Sequence, residues 1–251
     1  MYKSTLAKRR NAYEDEVLEC LRDSLENDVR VTVLADRGFG DQKLYEHLRV
    51  LGFDYAIRFR QDIFLSDGVQ EPRPAIDWMA PSGRAMMLKY ATVTLDKYQV
   101  PAVVLTHDKR MKEAWCLATS RVDLTASQVT KLYGKRFTIE ETFRDTKDIH
   151  FGMGLKATHI GDSSRRDRLL LLGAVAHALL TLLGAAGERC GLDRTPRTNT
   201  SKKRQLSLYR QGCFWYEALS GLSDERRGLL MAAYDEVLRE HAFFCELFGI
   251  I

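Results

Sequence analysis

The sequence predicts a mixed α/β protein with a parallel strand pair near its amino terminus and a helical carboxyl-terminal part. Three observations support this class. A β-branched run over 31–35, a helical pattern over 42–51 and a second apolar run over 55–59 form a strand–helix–strand unit. In 61–121, proline and glycine residues typical of turns separate short apolar runs, and the apolar residues no longer recur at helical spacing. Beyond residue 126 the apolar spacing is helical.

The individual elements follow in chain order. An amphipathic helix is expected over 11–27, ahead of the strand–helix–strand unit. Three antiparallel strands are expected in the β-rich stretch, with a hairpin turn at Asp96-Lys97; they cover 86–95, 99–106 and 114–119. Four helices are expected after it, over 126–149, 166–186, 209–219 and 224–248. A linker over 194–210 separates the second from the third and carries six Lys or Arg residues and no acid.

Composition limits the function classes. The 38 Lys and Arg residues nearly balance the 34 Asp and Glu residues, giving a net charge of +4, so affinity for nucleic acid must come from local patches. The five cysteines are scattered and never form a C-x-x-C pair, which favours free thiols in a reducing compartment. Because the first residues lack a signal-peptide apolar region, we expect a cytoplasmic protein.

One uncharged segment, 169–187, is nearly long enough to cross a bilayer. It is solitary, it contains His177, and its small residues suit close helix packing. A buried core helix in a soluble protein has the same pattern. We expect the buried helix and no membrane partner, and the flanking arginines leave the membrane interpretation open.

The helix that starts at Thr125 carries the most informative pattern. Thr125 and Gln128 form a capping-box pattern. At about 100° per residue, five side chains fall within a sector of roughly 80° on one helix: Tyr133, Arg136, Glu140, Arg144 and Lys147. This stripe combines one acid, one aromatic ring and three cations. A solvated face with helical salt bridges would have the same pattern.

The spacing Tyr133-x2-Arg136-x3-Glu140-x6-Lys147 resembles the Y-R-E-K signature of DDE transposases of bacterial insertion sequences, of the insertion-sequence-4 type. VTVLADRGFGD resembles that family's second catalytic block, an acid at a strand end followed by Arg-Gly-Phe, and places it at Asp36. The segment NTSKKRQLSLYRQG is similar to the family's carboxyl-terminal region. The resemblance extends from about Tyr2 to Gly212.

This resemblance implies a ribonuclease-H-like core and two Mg²⁺ ions that promote cleavage and strand transfer of transposon ends into target DNA. Asp36 would be the second acid and Glu140 the third, and both would bind metal. Glu141 is adjacent but breaks the spacing and is interpreted as structural. The residues implied to contact DNA are Tyr133, Arg136 and Lys147. Arg144 and the basic linker with Lys202, Lys203 and Arg204 are further candidates for phosphate contact, and a solvated loop would have the same composition as that linker. On its own, Asp36 would also suit a turn at a strand end.

The sequence departs from the family pattern at the first acid, for which no early strand is found ahead of the 11–27 helix. We therefore expect an incomplete ribonuclease-H-like core with an inserted antiparallel β subdomain and a helical carboxyl-terminal region. The segments expected are 1–60 (partial core), 61–122 (β-rich insertion), 123–190 (catalytic-Glu helix and buried apolar helix) and 191–251 (basic linker and last helices).

The expected function is that of an amino-terminally truncated transposase that is inactive alone, located in the cytoplasm at the nucleoid. It would act as a homodimer or pair with an intact transposase. The alternative is a non-catalytic DNA- or transposase-binding module that inhibits intact copies.

Overall fold

The computed structural model describes residues 10–26, 28–93, 98–109, 111–147, 154, 157–192 and 206–248. They fall into two compact units, residues 1–137 and 138–251, each of which is described by itself. The mixed α/β class expected from the sequence is confirmed. The four-segment division stays a prediction.

The first unit is built on a five-stranded sheet with helices on both faces. Its helices are α1 (Arg10–Asp23), α2 (Gln42–Val50) and α3 (Ala126–Gly134). The sheet order is β1 (Thr32–Ala35), β2 (Asp54–Phe59), β9 (Trp115–Thr119), β8 (Ala102–Thr106) and β5 (Met86–Lys89). β1 and β2 are parallel, as predicted from the strand–helix–strand pattern, and the other pairs are antiparallel.

A second, smaller sheet comes from the same stretch of chain. Its order is β4 (Arg73–Pro74), β3 (Phe64–Ser66), β6 (Thr92–Val93) and β7 (Tyr98–Gln99). The expected β-rich insertion therefore contributes to both sheets, since β5, β8 and β9 extend the sheet that β1 and β2 begin. That part of 61–122 does not form a subdomain of its own.

Two expected long strands, 86–95 and 99–106, are each divided between the two sheets. The backbone of Tyr90 is left-handed, with a φ of 54°, and this turns the chain between β5 and β6. Opposite it, Pro101 has no N–H to donate, but its carbonyl accepts from the Tyr90 N–H at 2.8 Å. The predicted turn at Asp96-Lys97 lies outside the described residues.

Side chains of the main sheet alternate between two apolar clusters. Tyr55, Ile57 and Phe59 of β2 face α2, which contributes the buried Leu44 and Leu48. Ala56 of the same strand faces α3 and packs with Val129 and Tyr133, among others. This period of two decides which polar side chains share a face at the strand ends.

The expected single helix over 126–149 is wrong, because the chain forms α3 and then α4 (Phe137–Lys147). The predicted capping box at Thr125 is confirmed. The Gln128 backbone N–H donates to the Thr125 hydroxyl oxygen, and the Gln128 side-chain oxygen accepts from the Thr125 backbone N–H. At the other end, the N–H groups of Lys135 and Arg136 bond to carbonyls three residues back rather than four. This tightened turn interrupts the α-helical phase between Tyr133 and Glu140.

The second unit is helical. It contains α5 (Ser163–Arg189), α6 (Leu208–Ala218), α7 (Asp224–Arg239) and α8 (Ala242–Phe248). Leu183, Trp215, Leu230 and Val237 lie in its core. By length and composition, α5 could cross a membrane. The expectation of a buried core helix holds only for its second half, because its first half is solvent-exposed and Leu172 there is 69% exposed.

Candidate active site at the carboxyl end of β1

Asp36 lies directly after β1 and begins a 3-10 turn over Arg37–Phe39. Its Oδ1 accepts a hydrogen bond from the Arg37 backbone N–H at 2.7 Å, and its side chain is half-buried. Gly40 closes the turn against β2, where a Cβ atom would lie 3.2 Å from the Arg58 carbonyl oxygen. The turn is therefore held against the end of the neighbouring strand, which fixes where the Asp36 carboxylate emerges.

The strand register brings Arg58 to the same edge. Ala35 pairs with Ile57, so Asp36 and Arg58 are the next positions along the parallel pair and share the face that carries α3. Arg58 Nη2 donates to Glu113 Oε2 at 2.6 Å and to the Ala114 carbonyl at 3.2 Å. Arg37 Nη1 lies 3.6 Å from the same Glu113 oxygen. One carboxylate thus joins two guanidinium groups beside Asp36.

Tyr133 and Arg136 contribute an aromatic cluster to this face. The Tyr133 side chain is 1% exposed, and its ring meets the edge of Trp115 at a centroid distance of 5.0 Å. Trp115 also stacks with Phe137 at 5.9 Å. The Arg136 guanidinium lies over Phe137, 4.6 Å from the ring centroid. The cluster positions the guanidinium through cation–π contact.

The charges of these groups act on one another. Burial raises the pKa of the Tyr133 hydroxyl, Arg136 and Arg58 lower it, and the Asp36 charge raises it. The pKa of Glu113 is lowered, first by the hydrogen bond from Arg58 and then by the Arg37 charge, while Asp36 opposes that shift. Asp36, Arg58, Glu113, Tyr133 and Arg136 therefore form one charged neighbourhood in the first unit.

The remaining predicted residues of the stripe lie on α4 in the second unit. Glu140, Arg144 and Lys147 are spaced for one face of that helix and are exposed. The Lys147 ammonium lies 5.5 Å from the centroid of Phe143. Glu141, expected to be structural, lines a cavity of about 630 Å³ with Arg144 and His177.

The sequence-predicted site is thus partly assembled within one unit. The single stripe of five side chains is corrected, since the turn after α3 separates Tyr133 from the α4 residues. Asp36 lies in the first unit and Glu140 in the second, so their approach to each other stays a prediction. Lys202, Lys203 and Arg204 lie outside the described residues.

Arg58, Glu113 and Trp115 were not expected from the sequence. A charged residue inside the apolar run YAIRF is a signal that could have identified Arg58. No local pattern points to Glu113. It lies in the irregular segment after β8, and its partner Arg58 is 55 residues earlier in the chain.

Within the described residues, no group of three or more His, Cys, Asp and Glu side chains is placed to hold a metal ion. Carboxylate oxygens are the donors that Mg²⁺ prefers, and the Asp36 carboxylate is half-exposed at a strand end. Its chemistry fits a metal ligand, and a complete site would need further carboxylates.

Comparison with protein families identifies the class to which these features belong. The family model described as transposase DDE domain matches residues 6–179, which include Asp36, Tyr133, Arg136 and Glu140. The chain therefore belongs to the transposase DDE domain family. A comparison with curated proteins gave no match. The family acts on DNA, typically with divalent metal ions, and this fits a protein that works on DNA in the cytoplasm.

Proposed function

We propose that this chain provides part of the catalytic centre of an insertion-sequence transposase of the insertion-sequence-4 type, which cleaves and joins DNA at element ends. The observation that carries the proposal is that Asp36 and Arg58 follow paired strand positions at one edge of the sheet, where both charges act on Tyr133 and Arg136 lies beside that ring. A carboxylate beside fixed cations and an aromatic ring suits a metal-dependent reaction on a phosphodiester.

In this proposal Asp36 and Glu140 are catalytic residues whose carboxylates hold Mg²⁺. When bound, the two ions supply activation of the attacking oxygen and stabilisation of the leaving oxygen. Arg136 orients a DNA strand through a phosphate fork. The DNA contact expected of Tyr133 is replaced by an indirect role, because its buried ring packs beneath Arg136 and against Trp115. Arg144, Lys147 and the basic segment with Lys202, Lys203 and Arg204 neutralise further phosphates.

The 251 residues provide two of the three carboxylates that the resemblance implies, so we expect this polypeptide alone to bind DNA without cleaving it. Cleavage would then require a third carboxylate from a second polypeptide, or from an intact transposase that pairs with this chain. A homodimer is the form we expect on DNA. The alternative, a non-catalytic module that inhibits intact copies, uses the same surface.

The test is a strand-cleavage assay on end-labelled duplex DNA taken from both sides of the gene, with Mg²⁺ or Mn²⁺. The chain is assayed alone and mixed with a polypeptide that carries the family's first catalytic acid. We expect cleavage in the mixture only, reduced by about 100-fold or more in Asp36→Asn and Glu140→Gln.

Two matched variants control for charge and folding. Glu141→Gln removes the neighbouring acid on α4, and Asp41→Asn keeps the cap of α2, since Asn also accepts from backbone N–H groups. Both should cleave like the unmodified chain. Equal cleavage by Asp36→Asn would disprove the site, and DNA binding without cleavage in every mixture would favour the inhibitor.

A further inference from the structure

A cleft of about 340 Å³ lies at the carboxyl end of β2, beside the Asp36 turn. Three arginines line it, Arg37, Arg58 and Arg60, together with two acids, Asp62 and Glu113. The cleft therefore presents three guanidinium groups beside the turn that begins with Asp36, the candidate catalytic residue.

Arg58 is the fixed member of this set. Its side chain is 15% exposed, and Nη2 donates to both Glu113 and the Ala114 carbonyl. Burying a guanidinium costs solvation unless its donors are satisfied, so the two Nη2 contacts favour one orientation, while Nε is buried without a hydrogen-bond partner among the described residues. Its Nη2 donor edge faces the Glu113 carboxylate.

Glu113 is the exposed member. Its side chain is 56% exposed and comes from the irregular segment before β9. One carboxylate oxygen lies 2.6 Å from Arg58 Nη2 and 3.6 Å from Arg37 Nη1. Because the Glu113 carboxylate is exposed, water can solvate it when it leaves, and a second anion in its place would keep the Arg58 donor satisfied.

A phosphate can replace that carboxylate. Both anions present oxygens that match the fork of donors on a guanidinium, and a phosphate is the anion that repeats along DNA. Because the Asp36 charge acts on the Glu113 carboxylate, a phosphate that takes the place of this carboxylate between Arg37 and Arg58 would lie near Asp36.

We infer that Arg37 and Arg58 form a clamp for a DNA phosphate next to Asp36, and that Glu113 occupies the clamp in the free protein and is displaced when DNA binds. This inference rests on the proposed function, since it names DNA as the ligand. It assigns Glu113 a role as an internal competitor of DNA.

The test measures fluorescence anisotropy of a labelled random-sequence duplex with the full chain at several salt concentrations. Glu113→Gln should bind roughly two- to fivefold more tightly, the range expected when one exposed ion pair no longer competes. Arg58→Ala and Arg37→Ala should bind more weakly, and each should lower the salt slope by about one. Circular dichroism checks folding, and the exposed Arg37 provides the test if Arg58→Ala does not fold.

Asp62→Asn is the matched control, because Asp62 lines the same cleft and makes no ion pair within the described part of the chain. Asp62→Asn removes the same charge as Glu113→Gln. An equal gain in DNA affinity from both variants would mean that only net charge matters, and this would overturn the competitor role. In an Arg37→Ala background the gain from Glu113→Gln should shrink, and an undiminished gain would also overturn it.

The outcomes separate this inference from the proposed function. If the unmodified chain binds DNA and none of the Arg37, Arg58 and Glu113 variants changes binding, the clamp is overturned and the transposase proposal stands. If no variant binds DNA, both fail. If binding responds as expected and the cleavage assay fails, the clamp stands and the catalytic proposal falls.

Discussion

Gly212 of α6 lies so close to the Leu180 carbonyl oxygen of α5 that a Cβ atom at this glycine would come within 1.7 Å of it. Gly184 of α5 is similarly close to α6, since a Cβ atom at this glycine would lie 1.9 Å from the Leu208 carbonyl oxygen. The two helices therefore cross with their backbones nearly in contact. Small residues at both positions are a condition for the core of the second unit.

Gly212→Ala should strongly destabilise the second unit, because a methyl group would have to push two backbones apart. Overpacking of this kind costs about 1–3 kcal/mol, and rigid backbone atoms on both sides favour the upper end. Gly228→Ala in α7 is the control, since nothing lies within 4 Å of its built Cβ. That change should stabilise the helix by about 0.5–1 kcal/mol. Denaturant unfolding followed by circular dichroism measures both, and equal effects would contradict the close crossing.

Asp123 should give the first unit a pH-dependent stability. Its carboxylate accepts from Arg121 at 2.8 and 2.9 Å and lies near Arg30, and these contacts hold its pKa well below the ordinary 3.8. Because the folded-state pKa is depressed, the stabilisation is fully present above the unfolded-state pKa and is lost as the pH falls below it.

Asp123→Asn should accordingly lower the Tm at neutral pH, and the difference from the unmodified chain should shrink below about pH 4. Thermal unfolding across this range measures it. Asp77→Asn, at an exposed position of the short helix Ala75–Trp78, is the control and should change the Tm little. A difference that is independent of pH would rule out the ionic origin.

Cys116 should resist thiol reagents as long as the first unit is folded. Burial raises the pKa of this thiol to about 12, although the nearby Arg58 charge opposes the shift, so little thiolate forms near neutral pH. Cys20 is exposed on α1 and should react first. Maleimide labelling followed by mass spectrometry distinguishes the two sites. Equal labelling rates for both cysteines in the folded protein would contradict the burial of β9.

The acids of α1 should not complete the active site. Leu18 packs α1 into the cluster on the α2 side of the sheet, and Asp15 lies 3.9 Å from His47 of α2. Asp15 lines a cavity with Gly38 and Phe39 of the turn that Asp36 begins, whereas the Asp36 charge acts on Tyr133 at the other face of the sheet. Asp15→Asn should therefore leave cleavage in the complemented assay unchanged. Cleavage by the chain alone that depends on both Glu140 and Asp15 would show that Asp15 is the missing carboxylate.

Local patterns in the sequence determined the main elements. The β-branched run before Asp36 predicts β1, the parallel pairing of β2 follows from the intervening helix, and Thr125 with Gln128 marks the start of α3. These predictions succeed because turns, caps and alternating apolar residues act over a few positions. The spacing of Tyr133, Arg136, Glu140 and Lys147 likewise gave the family that the family model also matches.

Tertiary structure alone decided where these elements break and what meets at the site. Tyr90 and Pro101 divide a long hairpin between two sheets, and the tightened turn at Lys135–Arg136 ends the α-helical phase between Tyr133 and Glu140. Arg58 donates a hydrogen bond to Glu113, which lies 55 residues further along the chain. The physical reason is that these features depend on packing and charge between distant segments, which no local period encodes. The sequence determined the family and marked Asp36 as a candidate, and the fold decided which charged residues lie at the same edge of the sheet.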